Sequence, residues 1–369
     1  MLYYLAEYIQ NMFNPPGLGV FKYLTFRAAL SAITALLFTF IIGPKILKVI
    51  KKKQIGEAKK EDGPMFHWSK AGTPTMGGLI ILFSVVIPVL LWGELSNIYI
   101  ILILFTTVVL GFVGFLDDYL KVVKKYKKGL VAKYKLLGQV FVGLVVGCVI
   151  YFHPFFDGLH SVTTIPFLKN YEFDFAIFYI PLIIFIITGT SNAVNLTDGL
   201  DGLATGTVSV VVMTLGIIAY LSGNEITAKY LNIIYLKGNG ELIVYCSALA
   251  GATLGFLWFN SFPAQIFMGD TGSLALGGSI ATLCVLVKKE LLLPLLGGIF
   301  LAEAISVILQ RYYFKYTKKK YGEGRRIFKM APLHHHFEMS GIPEPKIVTR
   351  FYIIAIILAI MTLATFKVR

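Results

Sequence analysis

The sequence predicts an all-α integral membrane protein with about ten transmembrane helices, because charged residues are scarce and confined to short clusters. Of the 369 residues, 56% are hydrophobic and only 15% are charged, whereas an ordinary soluble domain has roughly 25% charged residues. The uncharged runs between the clusters are long enough to cross a bilayer, which takes about 20 residues. This pattern excludes a disordered chain, a disulfide-rich scaffold and a soluble nucleic-acid-binding protein.

Ten segments are predicted to span the membrane, and together they form one polytopic domain over residues 1–369. Residues 1–13 precede them and lack the basic start of a signal peptide, so they are predicted to form a short helix at the membrane surface. No repeat at a fixed period is apparent. The predicted spans are 24–44, 74–92, 96–116, 136–155, 175–192, 203–221, 242–259, 272–287, 291–310 and 348–366.

The distribution of basic residues orients these spans. One set of connections carries 25 of the 34 Lys and Arg residues and 11 of the 20 acidic residues, which accounts for the whole net charge of +14. Basic loops stay on the cytoplasmic side of a membrane, so this set is predicted to be cytoplasmic and both termini periplasmic. The opposite connections at 157–174 and 222–240 are long enough for a hairpin or a surface helix. The predicted cytoplasmic loops are 45–73, 117–135, 193–202, 260–271 and 311–350.

A pair of adjacent carboxylates, Asp117 and Asp118, ends the third predicted span. Adjacent carboxylates repel each other and are costly to remove from water, so the pair is reasonable where a cation or a transferable proton lies beside it. Lys121 is four residues beyond Asp117 and can share its helical face. The alternative is a solvated helix end that merely flanks a basic stretch.

The connection at residues 192–202 contains two Asn, two Asp and two Gly between apolar runs. Amide and carboxylate groups there could contact the edge of a ligand, and glycines allow close approach of the backbone. The alternative is a turn with well-placed turn-forming residues.

A lone acid, Asp270, lies in the otherwise uncharged stretch 260–273 and is followed by Thr and Ser. This environment suits Mg²⁺, which prefers oxygen ligands and usually takes one or two carboxylates together with substrate phosphates. Phe267 offers a flat face to a base. Asp270 could instead be the N-cap of the eighth span, and the two interpretations are compatible.

Three consecutive histidines, His334, His335 and His336, lie in the last predicted cytoplasmic loop. They cannot all reach one metal ion from an extended or helical backbone. They are therefore interpreted as hydrogen-bond donors to phosphate or sugar, with a merely solvated histidine run as the alternative.

The lysines of 51–60 and 121–135 are mostly expected to contact anionic lipid headgroups. A few residues border the polar motifs and are predicted to bind phosphate. Glu303 is an acid inside the ninth predicted span, where ionisable residues are usually functional, although a hydrogen-bonded structural role fits equally well. The predicted phosphate ligands are Lys70, Thr75, Lys121 and Lys133.

These motifs resemble the signature set of the polyprenyl-phosphate N-acetylhexosamine-1-phosphate transferase superfamily. Four motifs occur in the same order, and the similarity covers essentially the whole chain. The triple-histidine run is further similar to the phospho-N-acetylmuramoyl-pentapeptide transferase family rather than to its GlcNAc-1-phosphate relatives. The motifs are Asp117-Asp118-x-x-Lys121, residues 192–202, Phe267-Met268-Gly269-Asp270, and Ala331-Pro332 with the histidines that follow.

The resemblance implies a Mg²⁺-dependent enzyme of the bacterial inner (cytoplasmic) membrane. Its reaction would transfer phospho-N-acetylmuramoyl-pentapeptide from the UDP conjugate to undecaprenyl phosphate, giving lipid I and UMP in the first membrane step of peptidoglycan synthesis. A homodimer surrounded by membrane lipids is also implied. The residues fit independently, because a lipid phosphate and an anionic nucleotide can meet only at a membrane surface that offers lysines and a divalent cation.

The resemblance also implies roles for individual residues. Asp270 is expected to hold Mg²⁺ on the diphosphate, and Asp117 to take the proton of the lipid phosphate before direct attack. Asp118 is expected to support the metal or the lipid phosphate, and Phe267 to stack on uracil. A two-step route through a covalent phospho-enzyme stays open. The implied substrate-binding residues are Lys70, Thr75, Lys121, Lys133, Asn195, Asp198, Leu200, Asn260, Phe267, Gln310, His334, His335 and His336.

Two other functions compete with this interpretation. A sister enzyme would use UDP-GlcNAc with the same polyprenyl phosphate, and donor preference separates the two. An ion-coupled transporter also contains intramembrane acids and interrupted spans, but places its polar residues near the membrane midplane between related halves. Here the carboxylates lie at span ends on one predicted side.

Overall fold

The computed structural model describes residues 1–52, 72–126, 129–166 and 172–368, and within these ranges the chain is mostly α-helical. Short 3-10 segments and one π-helical turn, Tyr119–Val123, extend or connect several helices. The α-helices are α1 (Leu2–Phe13), α2 (Leu24–Lys52), α3 (Gly78–Trp92), α4 (Ile98–Asp118), α5 (Ala132–Phe152), α6 (Tyr179–Thr197), α7 (Leu203–Ser222), α8 (Glu225–Leu231), α9 (Leu242–Asn260), α10 (Gly269–Leu286), α11 (Leu293–Leu296), α12 (Gly298–Tyr321), α13 (Leu333–Glu338) and α14 (Glu344–Val368).

Eight helical segments in the described part of the chain are long and apolar enough to cross a membrane. A ninth candidate is bent by 81° where Glu290–Leu296 meets α12, and α3 is a shorter apolar helix. Each of the ten predicted spans coincides with one of these segments, so the predicted all-α membrane architecture is confirmed. The count of ten spans and the periplasmic position of both termini stay predictions. The eight segments are Leu24–Lys52, Ile98–Val123, Ala132–Phe152, Ala176–Thr197, Leu203–Ser222, Asn239–Asn260, Gly269–Leu286 and Glu344–Phe366.

Helix α10 lies at the centre of the bundle. Every residue from Thr271 to Leu286 is buried, and α10 packs against α4, α6 and α3. Small residues let helix backbones approach closely in membrane bundles, and Gly114 of α4 is such a position, because an added Cβ would lie 2.1 Å from the Asp270 carbonyl oxygen. This approach brings the end of α4 next to the start of α10.

The polar connections are shorter than the sequence predicted, because several helices continue into them. Helix α6 includes residues 193–197 of the predicted loop 193–202, and α12 continues to Tyr321, past residue 311. The chain between α9 and α10 crosses back to the segment that precedes α3, where the Phe267 N–H donates to the Pro74 carbonyl at 2.8 Å. These short connections leave little freedom for the motif residues.

The opposite end of the bundle has its own secondary structure. Strands β1 (Val162–Thr164) and β2 (Glu172–Asp174) pair antiparallel with Val162 opposite Asp174, and α8 lies in the 222–240 connection. The predicted hairpin or surface helix is therefore present in each long connection. Helix α1 coincides with residues 1–13, which the sequence predicts to form a surface helix. At this end of the bundle, a buried ion pair joins Arg27 of α2 to Glu241, the residue before α9.

Candidate active site

Three carboxylates from two helices meet at one end of the bundle. Asp117 and Asp118 are the last two residues of α4, and Asp270 is in the first turn of α10. One carboxylate oxygen from each residue lies within 4.8 Å of the other two. The sequence placed these acids in separate motifs, and the packing of α4 on α10 joins them.

Asp118 completes the first turn of α10. Its carboxylate accepts hydrogen bonds from the backbone N–H groups of Asp270 at 3.1 Å and Thr271 at 2.9 Å, and from the Thr271 hydroxyl at 2.6 Å. The first N–H groups of a helix have no partner within the helix, and a negative charge is favourable there. The interpretation of Asp270 as the N-cap is wrong, since Met268 occupies that position and Asp118 supplies the acceptor from another helix.

Two lysines bridge the other carboxylates. The Lys121 ammonium lies 2.5 Å from an oxygen of Asp117 and 3.2 Å from Asp270, as the four-residue spacing predicted for the first contact. The Lys135 ammonium lies 2.7 Å from Asp117 and also contacts Asp270. The Leu130 N–H donates to the second oxygen of Asp117 at 2.6 Å, so both oxygens of this fully buried side chain are engaged.

Asn195 holds Asp270 from the side of α6. Its amide donates to Oδ1 of Asp270 at 2.9 Å and to the Ser273 hydroxyl at 2.7 Å. The predicted site residue Thr75 is buried beside the same helix start, since its hydroxyl oxygen lies 3.1 Å from the place that a Cβ on Gly269 would take. Three of the predicted motifs therefore meet around Asp270.

The donor set fits a hard divalent cation. Mg²⁺ prefers oxygen ligands and is usually held by one or two carboxylates with water and substrate phosphates. The Asp270 side chain is 16% exposed, whereas Asp117 is fully buried, and Lys135 at 22% and Lys121 at 38% lie at the opening. A ligand can therefore reach Asp270 and both lysines from outside.

The predicted uridine-pocket residues occupy different environments. Phe267 and Asp198 are half-buried on the connections next to α10 and α6. Leu200 is buried in an apolar cluster with Leu203 and Phe351. The Leu200 side chain therefore packs within the protein, and contact with a ligand would fall to its backbone.

Asn260 and Gln310 are engaged with the protein itself. The Asn260 amide accepts from the Gly202 N–H at 3.2 Å and the Thr205 hydroxyl at 2.8 Å, and donates to the Ile266 carbonyl at 3.0 Å. Gln310 donates to the Phe328 carbonyl at 3.1 Å and accepts from the N–H groups of residues 327 and 328 at 3.0 Å. Both side chains shape the connections beside the site.

The histidine run forms the short helix α13 and does not act as one unit. His334 is fully buried, and its backbone N–H donates to the Glu303 carboxylate at 3.2 Å. The His334 ring packs against Gly199. The ring of His335 lies 2.7 Å from Glu338. The His336 ring accepts from the Lys329 N–H at 3.1 Å.

The remaining predicted lysines lie apart from the carboxylates or outside the described ranges. Lys133 is exposed in the first turn of α5, two residues before Lys135, whose side chain reaches the cluster. Lys70 lies outside the described residues. Lys135 was missed by sequence reasoning, and its only signal was its place in the same basic stretch.

Fold and site together define a polytopic membrane protein whose lysine-rimmed acidic site suits a divalent cation and phosphate. The chain matches the model of glycosyl transferase family 4 over residues 100–288 and signature 1 of the phospho-N-acetylmuramoyl-pentapeptide-transferases over residues 70–82. The chain belongs to the phospho-N-acetylmuramoyl-pentapeptide-transferase family, as the motifs predicted.

Relatives of this name align with the chain over its whole length. It is 55% identical to the phospho-N-acetylmuramoyl-pentapeptide-transferase of Pelodictyon phaeoclathratiforme, 54% to that of Chlorobaculum parvum and 49% to that of Flavobacterium psychrophilum. Each alignment covers 100% of both chains. Family membership therefore applies to the entire chain.

Proposed function

We propose that this protein transfers phospho-N-acetylmuramoyl-pentapeptide from its UDP conjugate to undecaprenyl phosphate, giving undecaprenyl-diphospho-N-acetylmuramoyl-pentapeptide (lipid I) and UMP. One observation carries the proposal. At the ends of membrane helices, the ammonium groups of Lys121 and Lys135 each contact both Asp117 and Asp270. This arrangement offers positive charge for phosphates and oxygen ligands for a cation in one place.

The position of the site suits one lipid substrate and one soluble substrate. Asp118 ends α4 and Asp270 is in the first turn of α10, so the carboxylates lie where apolar helices give way to polar connections. A polyprenyl phosphate would keep its chain in the bilayer and bring its phosphate to this level. The basic connections at this end favour the cytoplasmic side of the inner membrane.

Asp270 is the proposed Mg²⁺ ligand, with Asp117 as the neighbouring carboxylate. When bound, Mg²⁺ would neutralise charge on the diphosphate and assist the departure of UMP. Asn195 donates to one oxygen of Asp270 at 2.9 Å and so fixes the orientation of the carboxylate. Asp118 acts through this geometry, since it holds the backbone N–H of Asp270, and is therefore a positioning residue.

In the proposed step, Asp117 takes the proton of the lipid phosphate, and a phosphate oxygen then attacks the phosphorus that carries the sugar. The bond between this phosphorus and the oxygen bridging to UMP breaks, and UMP leaves with the bonding electrons. Lys121 and Lys135 exchange carboxylate partners for phosphate oxygens, which balances charge through the transfer.

The hydrogen bonds of Asp118 favour direct attack over a covalent phospho-enzyme formed on this residue. Both oxygens of Asp118 accept from the start of α10. Attack by Asp118 on phosphorus would require it to lose several charge-assisted hydrogen bonds, each worth about 1.5–3 kcal/mol. A two-step route through Asp117 stays open, because the lysines that engage Asp117 pass to phosphate oxygens in the proposed step.

The remaining substrate contacts follow the family resemblance. Phe267, Asp198 and Asn195 flank the site and are proposed to bind the uridine moiety, and His335 and His336 the sugar phosphate. A homodimer in the membrane is likewise expected from the resemblance.

The reaction is tested by measuring UMP release from detergent-purified protein supplied with undecaprenyl phosphate. UDP-N-acetylmuramoyl-pentapeptide and UDP-GlcNAc are compared, each with and without Mg²⁺. Release only from the muramoyl donor, with lipid and Mg²⁺ both required, is the expected result. Release only from UDP-GlcNAc would assign the sister reaction, and release from neither donor by folded protein would overturn the proposal.

The metal site is tested with Asp270→Asn, which keeps the shape of the side chain and removes its charge. We expect loss of most UMP release at every Mg²⁺ concentration. The matched control is Asp157→Asn, because Asp157 is an exposed acid at the other end of the bundle. Near-normal turnover of Asp270→Asn with unchanged Mg²⁺ dependence would refute the assignment.

A further inference from the structure

Three helices that bring side chains to the candidate active site are joined again by hydrogen bonds one turn deeper in the bundle. Lys135, Asn195 and Asp270 come from α5, α6 and α10 and meet in the site. Four residues along a helix span about 6 Å and return to nearly the same face. At this distance from the three site residues lie, on the same three helices, Gln139, Ser191 and Leu274.

Gln139 joins α5 to α6 through both ends of its side-chain amide. The side chain is only 1% exposed. Its nitrogen donates to the Ser191 hydroxyl at 3.3 Å, and its oxygen accepts from the side-chain amide of Asn192 at 2.9 Å. Two neighbouring residues of α6 are therefore held by one residue of α5.

Ser191 continues the connection from α6 to α10. Its hydroxyl donates to the Leu274 carbonyl at 3.1 Å. The two helices are very close here, since an added Cβ on Gly277 would lie 2.7 Å from the Cα of Ser191. The polar layer thus links α5 to the helix that carries the proposed metal ligand.

The start of α5 depends on this layer for its position. Val131 precedes α5 and provides no side-chain cap, and the Lys135 side chain is 22% exposed. Deeper in the bundle α5 packs closely on α6, where an added Cβ on Gly143 would lie 2.7 Å from the Cα of Ile184. Apolar packing between membrane helices has no hydrophobic driving force, whereas hydrogen bonds are directional. Gln139 therefore fixes how far along α6 the start of α5 lies and which way it faces.

We propose that Gln139 is a positioning residue for the transfer reaction. By holding α5 against Ser191 of α6, it places the Lys135 ammonium between the carboxylates of Asp117 and Asp270, where this ammonium contacts both. This role rests on the proposed function. Gln139 lies one turn away from the carboxylates and reaches the reaction through Lys135.

The first test is a double-mutant cycle in full-length protein. Gln139→Met keeps the length of the side chain and removes both polar ends. We expect kcat for UMP release to fall about tenfold, because small misplacements of reacting groups are costly, and the KM of the UDP substrate to stay within about twofold. Added to Lys135→Met, the same substitution should change kcat by less than about twofold, because residues that act through one another are not additive. A general disturbance of the site would lower kcat by the same factor in both backgrounds.

Thr107→Val is the matched control. The buried Thr107 hydroxyl contacts the hydroxyl groups of Tyr245 at 2.6 Å and Ser279 at 3.0 Å, so the substitution also removes two contacts between helices. It should lower the melting temperature about as much as Gln139→Met and leave kcat unchanged. An unchanged kcat in folded Gln139→Met, or a full tenfold loss in the Lys135→Met background, would overturn the proposal.

The second test reads the position of Lys135 without using catalysis. Brief acetylation of folded protein followed by mass spectrometry compares Lys135 with Lys133, which is exposed in the same turn of α5. The two carboxylates shield Lys135 in wild-type protein, so it should react more slowly than Lys133. Gln139→Met should bring the two rates closer together, and Thr107→Val should leave their ratio unchanged.

Ser191→Ala keeps both tests decisive if Gln139→Met does not fold, because it removes only the hydroxyl that joins Gln139 to α6 and α6 to Leu274. It should narrow the difference in acetylation and lower kcat in the same direction, by a smaller factor. An acetylation ratio that is the same in wild-type protein and in the folded variants would overturn the positioning role. A changed ratio in protein that releases no UMP from any donor would support this role and refute the proposed function alone.

Discussion

Asp118 accepts both hydrogen bonds that Thr271 can donate, from its N–H at 2.9 Å and its hydroxyl at 2.6 Å. The relationship links the last residue of α4 to the first turn of α10 and leaves Asp118 only 4% exposed. Because the same carboxylate also holds the N–H of Asp270, the position of the proposed metal ligand depends on Asp118. Asp118, which the resemblance implies supports the metal or the lipid phosphate, thus also holds the start of α10.

The first prediction concerns this link. Asp118→Asn replaces one acceptor oxygen by an amide that cannot accept from the start of α10, and we expect a lower melting temperature and at least a 100-fold loss of UMP release. Thr271→Val removes the hydroxyl alone and keeps the N–H bond, so its loss of UMP release should be smaller, roughly 5- to 10-fold, since one such bond contributes about 1 kcal/mol.

Thr282→Val is the matched control for these variants, because its buried hydroxyl donates to the Thr106 hydroxyl at 3.1 Å deeper in α10. It should lower the melting temperature as much as Thr271→Val while leaving the KM for Mg²⁺ unchanged. In Asp118→Asn the KM for Mg²⁺ should rise. Unchanged Mg²⁺ dependence in folded Asp118→Asn would contradict the positioning role.

The second prediction separates two lysines that lie two residues apart. Lys135 contacts both Asp117 and Asp270, whereas Lys133 is exposed. Lys135→Met should lower kcat roughly 10- to 100-fold, because a hydrogen bond to a charged group is worth about 1.5–3 kcal/mol. Lys133→Met should raise the KM of the UDP substrate and keep kcat, if Lys133 binds phosphate as predicted.

Steady-state UMP release at varied donor concentration measures both effects, and Lys124→Met at an exposed position of the same connection is the control. An unchanged KM in Lys133→Met would remove Lys133 from the substrate site. A wild-type kcat in Lys135→Met would show that the bridge has no part in turnover.

The three carboxylates could be predicted as site residues from the sequence, because each lies at the end of an apolar run, where a charged side chain is costly to remove from water. Lys135 could not be distinguished in this way, since it is one of seven lysines between residues 117 and 135. Its contacts depend on how the chain turns from α4 into α5, which composition does not specify.

Two asparagines in similar sequence positions also could not be distinguished from the sequence. Asn195 and Asn260 both lie in a predicted cytoplasmic loop just beyond a predicted span, yet Asn195 contacts Asp270 while Asn260 binds backbone groups of the neighbouring connections. The sequence also left the form of the bend in the ninth span, around Glu303, undetermined. Its position at Gly297, between α11 and α12, agrees with glycine as a common cause of kinks, but the apolar run continues through it.

The third prediction tests the buried contact between Glu303 and His334. The Glu303 carboxylate accepts from the backbone N–H of His334 at 3.2 Å, and both side chains are fully buried. Glu303→Gln keeps an acceptor and should retain most UMP release. Glu303→Leu leaves the buried N–H without this acceptor and should destabilise the protein by about 1–3 kcal/mol.

Thermal unfolding together with the KM of the UDP substrate checks this prediction, because α13 carries the histidines proposed to bind the sugar phosphate. A raised KM is expected in Glu303→Leu but not in Glu303→Gln. If Glu303→Gln lost activity as completely as Glu303→Leu, the charge itself would be required, and a purely structural role for Glu303 would be refuted.

The last prediction concerns the ion pair between Arg27 and Glu241 at the end of the bundle opposite the carboxylates. The guanidinium donates to Glu241 through two N–H groups, one at 2.5 Å and one at 2.8 Å, and neither residue is more than 4% exposed. Removing one partner leaves a buried charge, which costs about 3–5 kcal/mol. Arg27→Met should therefore lower the melting temperature strongly, while UMP release per folded molecule stays within twofold of wild type. The double variant Arg27→Met/Glu241→Gln removes both charges and should recover part of the lost stability, whereas a double variant no more stable than Arg27→Met would show that lost packing, rather than the unpaired carboxylate, causes the destabilisation.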